Sequence, residues 1–422
     1  MVLYVSSASV IITPDIGGYM AGYGPDRRSE AINDDLSVTA VALVQDSTNA
    51  ILLSADVCLM EADTCDRIRM LVGEETGIDA ENVIINCSHT HSGPTTYGDK
   101  IEYGYINDTL IPGCIKAGKA AMAALQPAVV GVMAVDSFTG INRRQLLRDD
   151  TVVLGRNHWG TLDPTMTIIA FKTKEGVPCA NIVHYGAHLT SAGVHTTITR
   201  DWAGVMVDRL NAYSGTTTMF LSGAGGDVAP RLANEHSRRG DIGHVREVGA
   251  VAAMDAFRAY TNIRTFYDEK LSVAHGKIRI PCEPVTPACE CEAVIEKWKE
   301  RGIDNNVARL ALEMHRNGEK GEDEFIFRQT IIRIGPVVLV PFPFETCAGI
   351  SRRMREYSAF GHTLTLGCTN GSNSYLPTRD QMTLGGYEVD SFKWARPRRL
   401  PEDTDTRLIN QNLGLIDQLL NV

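Results

Sequence analysis

The chain has 422 residues, enough for one large core or for two or three smaller ones. With 44% hydrophobic and 22% charged residues, its composition is that of an ordinary globular protein without low-complexity tracts. A formal net charge of -10 excludes the broadly basic surface that nucleic acid or an anionic membrane needs, and leaves a small-molecule substrate open.

Residues 1–18 carry neither a basic n-region nor a long apolar h-region, so no secretory leader is read there. No apolar run reaches the roughly 18 residues of a spanning helix. The expectation is a cytoplasmic protein with no integral membrane segment. Short β-rich runs stand at 39–45 and 51–55. At 63–75, Cys65, Ile68, Leu71 and Val72 recur at helical spacing, with Asp63 or Thr64 available as the cap. A strand at 83–87, an Ala-rich helix at 115–125 and strands at 129–135, 167–171 and 181–185 follow. A helix at 201–213, a strand at 217–221 and a long helix at 244–260 continue the alternation.

Residues 290–317 differ. They are charged, helical in period, and broken at Arg301-Gly302, with Asp304 as a cap. They read as a helical insertion at 288–320, between strands at 278–280 and 325–334. Segment 331–344 is interrupted by Arg333, Gly335, Pro336, Pro341 and Pro343, and reads as two buried strands joined by a Gly-Pro turn. At 402–420, Glu402, Asp403 and Asp405 suit a helix start, and Leu408, Ile409, Leu413, Ile416 and Leu420 give a face for docking. No linker or internal repeat divides the chain. The expected architecture is a single large α/β domain, mixed β-sheets flanked by helices in α-β-β-α layers.

The ten cysteines are scattered, so free thiols are expected. Cys282, Cys289 and Cys291 cluster, but without the paired spacing of a structural zinc site.

Three segments carry metal-like chemistry. Strand 83–87 runs into Ser88-His89-Thr90-His91-Ser92-Gly93-Pro94. If the strand continues, residues two apart share a face, so His89 and His91 converge where the chain leaves the sheet. Two imidazoles there suit zinc, one ligand plus an acid/base group, or a hydrogen-bonded turn pair. Strand 181–185 likewise reaches a small-residue bend and presents His188. His184, inside the strand, reads as core or as support for a ligand, and His195 as an exposed loop histidine. Strand 337–344 ends in the carboxylate of Glu345, before a helix bearing Arg352, Arg353 and Arg355. Asp56, Asp201 and Asp227 each follow a strand and are read as orienters of histidine, or, for Asp201, as a helix cap.

At these residues the sequence resembles the catalytic domain of the neutral/alkaline (non-lysosomal) ceramidase family. The likeness runs through Ile12-Thr13-Pro14, Met20 to Gly24, Leu53 to Asp56, the His-Thr-His segment, Ile141-Asn142-Arg143, Ser222 to Pro230, Tyr375-Leu376-Pro377-Thr378 and Gly386-Tyr387-Glu388. The resemblance implies one zinc per chain, on His89, His188, Glu345 and Tyr375. It implies His91, Arg143 and Tyr387 as catalytic polar groups facing substrate and water. A zinc-activated water would attack an amide carbonyl, and these groups would steady the oxyanion or move a proton.

The sequence departs from the family where its Gly-Asp-Val-Ser-Pro motif reads Gly226-Asp227-Val228-Ala229-Pro230, which removes the hydroxyl at Ala229. The chain also ends soon after the closing motif, without room for the family's C-terminal β-sandwich domain. The reading is therefore a zinc-dependent C–N hydrolase acting on an amide smaller than ceramide. A zinc esterase or phosphoester hydrolase and a non-catalytic small-molecule binder are the alternatives. A second divalent cation and homo-oligomerisation are left open.

Overall fold

The computed structural model describes residues 2–24, 26–231, 240–299 and 305–420. Its largest sheet has eight strands, in the spatial order Thr218–Ser222, Pro178–Tyr185, Thr165–Lys172, Gln126–Asp136, Leu3–Ile11, Ser37–Gln45, Thr48–Ala55 and Val83–Cys87. Pairing is parallel at the two ends and antiparallel between them. A second sheet runs Leu271–Pro281, Glu324–Ile334, Val337–Pro341, His362–Leu366.

Side-chain alternation builds the layers. Val41, Leu43, Leu52, Ile84, Ile169 and Ile182 point from the large sheet toward Leu271, Ile332, Val337 and Leu364 of the small one, making an all-apolar middle. The opposite face of the large sheet is covered twice. Helices Ala62–Thr76 and Ile111–Ala123 cover Ala40, Ile51, Leu53 and Ile85, and helices Asp201–Ser214 and Ile242–Asn262 cover Ile168, Val183 and Phe220. Helices Ala348–Tyr357 and Thr404–Gln418 cover the outer face of the small sheet. This is the expected α-β-β-α layering. Among the described residues, no helix is long and apolar enough to cross a membrane.

Several local expectations need correction. Helix Ala62–Thr76 starts after Glu61 with no side-chain cap, so neither Asp63 nor Thr64 plays that part. The Ala-rich helix begins earlier, at Ile111, where it continues the π-helical turn Ile106–Leu110, with Pro112 just past the junction. The hairpin Gly140–Leu146 with Val152–Asn157 and the strand Leu3–Ile11 carried too many polar residues to be read as strands. The segment after Val337–Pro341 leaves the sheet, and Glu345–Thr346 pairs instead with Tyr375–Leu376. Helices Ala288–Lys299 and Asn306–Asn317 lie between two strands that pair directly along their length. The Arg301-Gly302 break and Asp304 lie outside the described residues, and Asn305 caps the second helix through Ala308 N–H. All ten cysteines are free, and Cys289 is exposed.

Candidate metal centre

Main-chain pairing assembles the centre. Strand Val83–Cys87 ends before His89, whose φ of 70° is left-handed. The period-two reason for His89 and His91 to share a face therefore does not hold. They converge because Ser88 N–H and His89 N–H bond back to the carbonyls of Ala55 and Val57, while His91 N–H bonds to Leu189 O. Thr90 and Leu189 bridge in parallel, which brings His188 alongside. Trp202 Nε1 donates to His188 O at 2.9 Å and fixes that turn. Glu345 and Tyr375 arrive as register partners. Gly226 passes beneath them so closely that a Cβ there would stand 2.4 Å from Glu345 O.

The donor atoms then meet. Glu345 Oε2 is 3.2 Å from His89 Nε2 and 3.3 Å from His188 Nε2. His91 Nε2 lies 3.4 Å from His89 Nε2, and Tyr375 Oη 3.4 Å from His188 Nε2. His89, His188 and Glu345 are all buried. The other nitrogen of each ligand histidine faces a carbonyl: His89 Nδ1 lies 2.9 Å from Cys58 O, and His188 Nδ1 lies 2.8 Å from Gly225 O. A carbonyl only accepts, so each Nδ1 carries a proton and each Nε2 is the atom left to face Glu345. Three atoms that could hold a metal ion face one another in a space of about 10 Å³ that they help to line. Such a cluster calls for a cation. Glu345 Oε2 is buried and receives no hydrogen bond of good geometry, which fits a metal-ligating oxygen.

The electrostatics set the two ligand histidines apart. Burial favours neutral imidazoles, and with Arg143 and His89 nearby it pushes His188 down to about 4. Burial, His89 and His188 hold His91 well below its usual range. At His89 burial is outweighed by Cys368, Cys58 and Glu345, which hold its pKa well above the ordinary value. Burial would raise Glu345, but His89 and His188 hold it well below the carboxylate range. Burial and Glu345 push the Tyr375 phenol well up, so it starts neutral.

Around this cluster, Arg143 Nη1 lies 3.0 Å from His188 Nε2, and its buried Nη2 has no partner. His91 Nδ1 is likewise buried and unpartnered. Tyr387 packs its ring 5.3 Å from that of Tyr375 and is half exposed, at the rim. All seven residues singled out in the sequence thus lie together. The cluster Cys58, His89 and His91 also groups metal-capable atoms, but it shares His89 and marks the same place.

The three aspartates do not orient histidines. Asp56 accepts from Ser37, Asp201 from the N–H groups of Ser191 and Ala192, and Asp227 from Asn142, Ala348 N–H and Gln381. His184 is a core residue bonded to Thr365 O, and His195 is half-buried between Ser92 and Thr197 rather than exposed. Sequence reading missed Arg27, which donates to the carbonyls of His91 and His195. It also missed Glu388 as the partner of Arg143 and Arg144.

No protein-family model matches the chain. Neutral ceramidase A of Dictyostelium discoideum is 25% identical over 164 residues, 36% of this chain and 23% of that protein. Neutral ceramidase B of the same organism is 25% identical over 156 residues, 34% of this chain and 22% of that protein. The matched segment thus spans under a quarter of either relative. The neutral ceramidase of Pseudomonas aeruginosa superposes with a TM-score of 0.77 at 16% identity, covering 99% of this chain and 75% of that one. A ceramidase complexed with C2 gives 0.78 at 16% identity, covering 100% and 76%. The two structural matches show the shared fold, and together with the sequence matches they support a neutral ceramidase-like family.

Proposed function

Starting from a chain of neutral ceramidase-like fold, we propose that it is a zinc-dependent hydrolase that cleaves a C–N amide bond, one ceramidase-like domain with 288–320 as a helical insertion. The observation that carries this reading is the meeting of His89 Nε2, His188 Nε2 and Glu345 Oε2, with both Nδ1 atoms committed to carbonyls. These three, with Tyr375 as a fourth, would hold the metal, and nitrogen and carboxylate donors suit zinc. Bound zinc supplies a Lewis acid that acidifies water and polarises a carbonyl.

The protein's own groups do the rest. Arg143 keeps a buried guanidinium N–H unpartnered, ready for the oxygen on which negative charge develops. His91, neutral and with a free ring nitrogen, can take or return a proton. Tyr387, at the rim, can donate its phenol proton to substrate. Position 229, buried in the strand Val228–Pro230, is alanine and brings no hydroxyl to the reaction. For this reason the proposed substrate is a small amide rather than ceramide.

The same groups would serve an ester or phosphoester, so the test compares them. Zinc-loaded protein is assayed on short N-acyl anilides, the matching phenyl esters and a phenyl phosphate. Amide cleavage that disappears in His188→Ala supports the reading. Cleavage confined to ester or phosphoester transfers the site to that chemistry, and none at all leaves a binding protein.

A further inference from the structure

Strand Gly140–Leu146 carries two consecutive arginines, which a regular strand would send to opposite faces. The register slips between Asn142 and Arg144, and this irregularity turns both toward one buried carboxylate. Glu388 is fully buried. Its Oε1 accepts from Arg143 Nε at 2.8 Å, and its Oε2 from Arg144 Nη1 at 2.6 Å. Arg144 also donates from Nη2 to Gly385 O. Glu388 holds Arg143 only through Nε. Its two terminal nitrogens extend past the carboxylate, Nη1 to 3.0 Å from His188 Nε2 and Nη2 with no partner.

Two guanidiniums sharing one carboxylate leave a net positive charge beside the ligand cluster. That charge has two effects of opposite sign. It favours an anion forming at the centre, and it opposes a cation settling there. Glu388 limits the second effect while its Nε bond keeps Arg143 aimed for the first.

We propose that Glu388 is a positioning residue that acts through Arg143, setting both the direction of its guanidinium and the charge felt at His188. The inference rests on the proposed function in taking His188 as a metal ligand. Replacing Glu388 leaves the two arginines without a counter-ion, so the uncompensated charge of Arg143 stands at His188 Nε2, the atom that metal needs.

The test uses the whole chain and zinc itself as probe. Zinc affinity is measured by competition with a chelator for wild type, Glu388→Gln, Arg143→Met and the double variant. The expected loss in Glu388→Gln is about 10- to 100-fold, the usual range for a residue supporting a metal ligand. Adding Arg143→Met returns most of it, because the unbalanced charge is gone; a merely structural glutamate would give no such return. On an anilide substrate, Glu388→Gln costs nothing further once Arg143 is Met. Unchanged zinc affinity in Glu388→Gln, or no recovery in the double variant, overturns the inference. If Glu388→Gln does not fold, Arg144→Met reads the same coupling: tighter zinc supports it and unchanged zinc overturns it. Wild type that takes up no zinc is a different failure, that of the functional reading.

Discussion

Glu345 and Tyr375 are direct register partners in a two-residue parallel pair, so a carboxylate and a phenol are set side by side by main-chain hydrogen bonds alone. Glu345 N–H bonds to Ser374 O, and Cys347 N–H to Leu376 O. Tyr375 is therefore placed whether or not its hydroxyl ligates. Tyr375→Phe keeps the ring that stacks on His188 and removes only the oxygen. The expected result is correct folding with zinc affinity lower by about tenfold, or ~1.4 kcal/mol. Affinity equal to wild type would remove Tyr375 from the ligand set.

Zinc uptake should release a proton. His89 has its pKa raised well above the ordinary value, so near neutral pH it holds a proton that metal must displace. His188, at about 4, and Glu345, held low, are already deprotonated there. Affinity should rise about tenfold per pH unit until the pH passes the raised His89 value, and then flatten. Calorimetry in buffers of different ionisation enthalpy should report about one proton released. No release would mean that His89 is neutral in the metal-free protein.

Gly22 lies against His91 at a φ of 100°, where a Cβ would stand 2.4 Å from His91 Nδ1. Gly22→Ala should displace that ring and strain the turn, while leaving His89, His188 and Glu345 in place. The expected outcome is zinc binding like wild type with hydrolysis down at least tenfold, about 1.4 kcal/mol in the barrier. Full activity would take His91 out of the reaction.

Asp227 ties together the segments that carry the centre. Its carboxylate accepts from Asn142 beside Arg143, from Ala348 after Glu345 and from Gln381 before Tyr387, and its own carbonyl accepts from Arg143 N–H. Asp227→Ala would leave three buried donors unsatisfied, and should cost about 2–4 kcal/mol in chemical denaturation. A loss below about 1 kcal/mol would mean that the segments hold without it.

The layers were legible because burial writes itself into sequence: strands 83–87 and 181–185 are largely apolar runs that end shortly before His89 and His188, and strand 337–341 stops short of Glu345. Less legible was everything decided by main-chain geometry. The turn at His89 brings its ring to His91 through a left-handed residue, not through strand alternation. The groups that orient the ligand histidines are carbonyls of Cys58 and Gly225, which every residue type possesses, so no side chain announces them. Arg143 and Arg144 converge on Glu388 through a register slip. The polar strands Leu3–Ile11 and Gly140–Leu146 lacked the apolar run that marks their neighbours.

Metal content of the purified protein, by elemental analysis of wild type and Glu345→Ala, tests the central claim most directly. The account predicts about one zinc per wild-type chain, the occupancy of a single ligand set, and a sharp loss in the variant. A wild type that holds no transition metal, even after reconstitution with zinc, would contradict it.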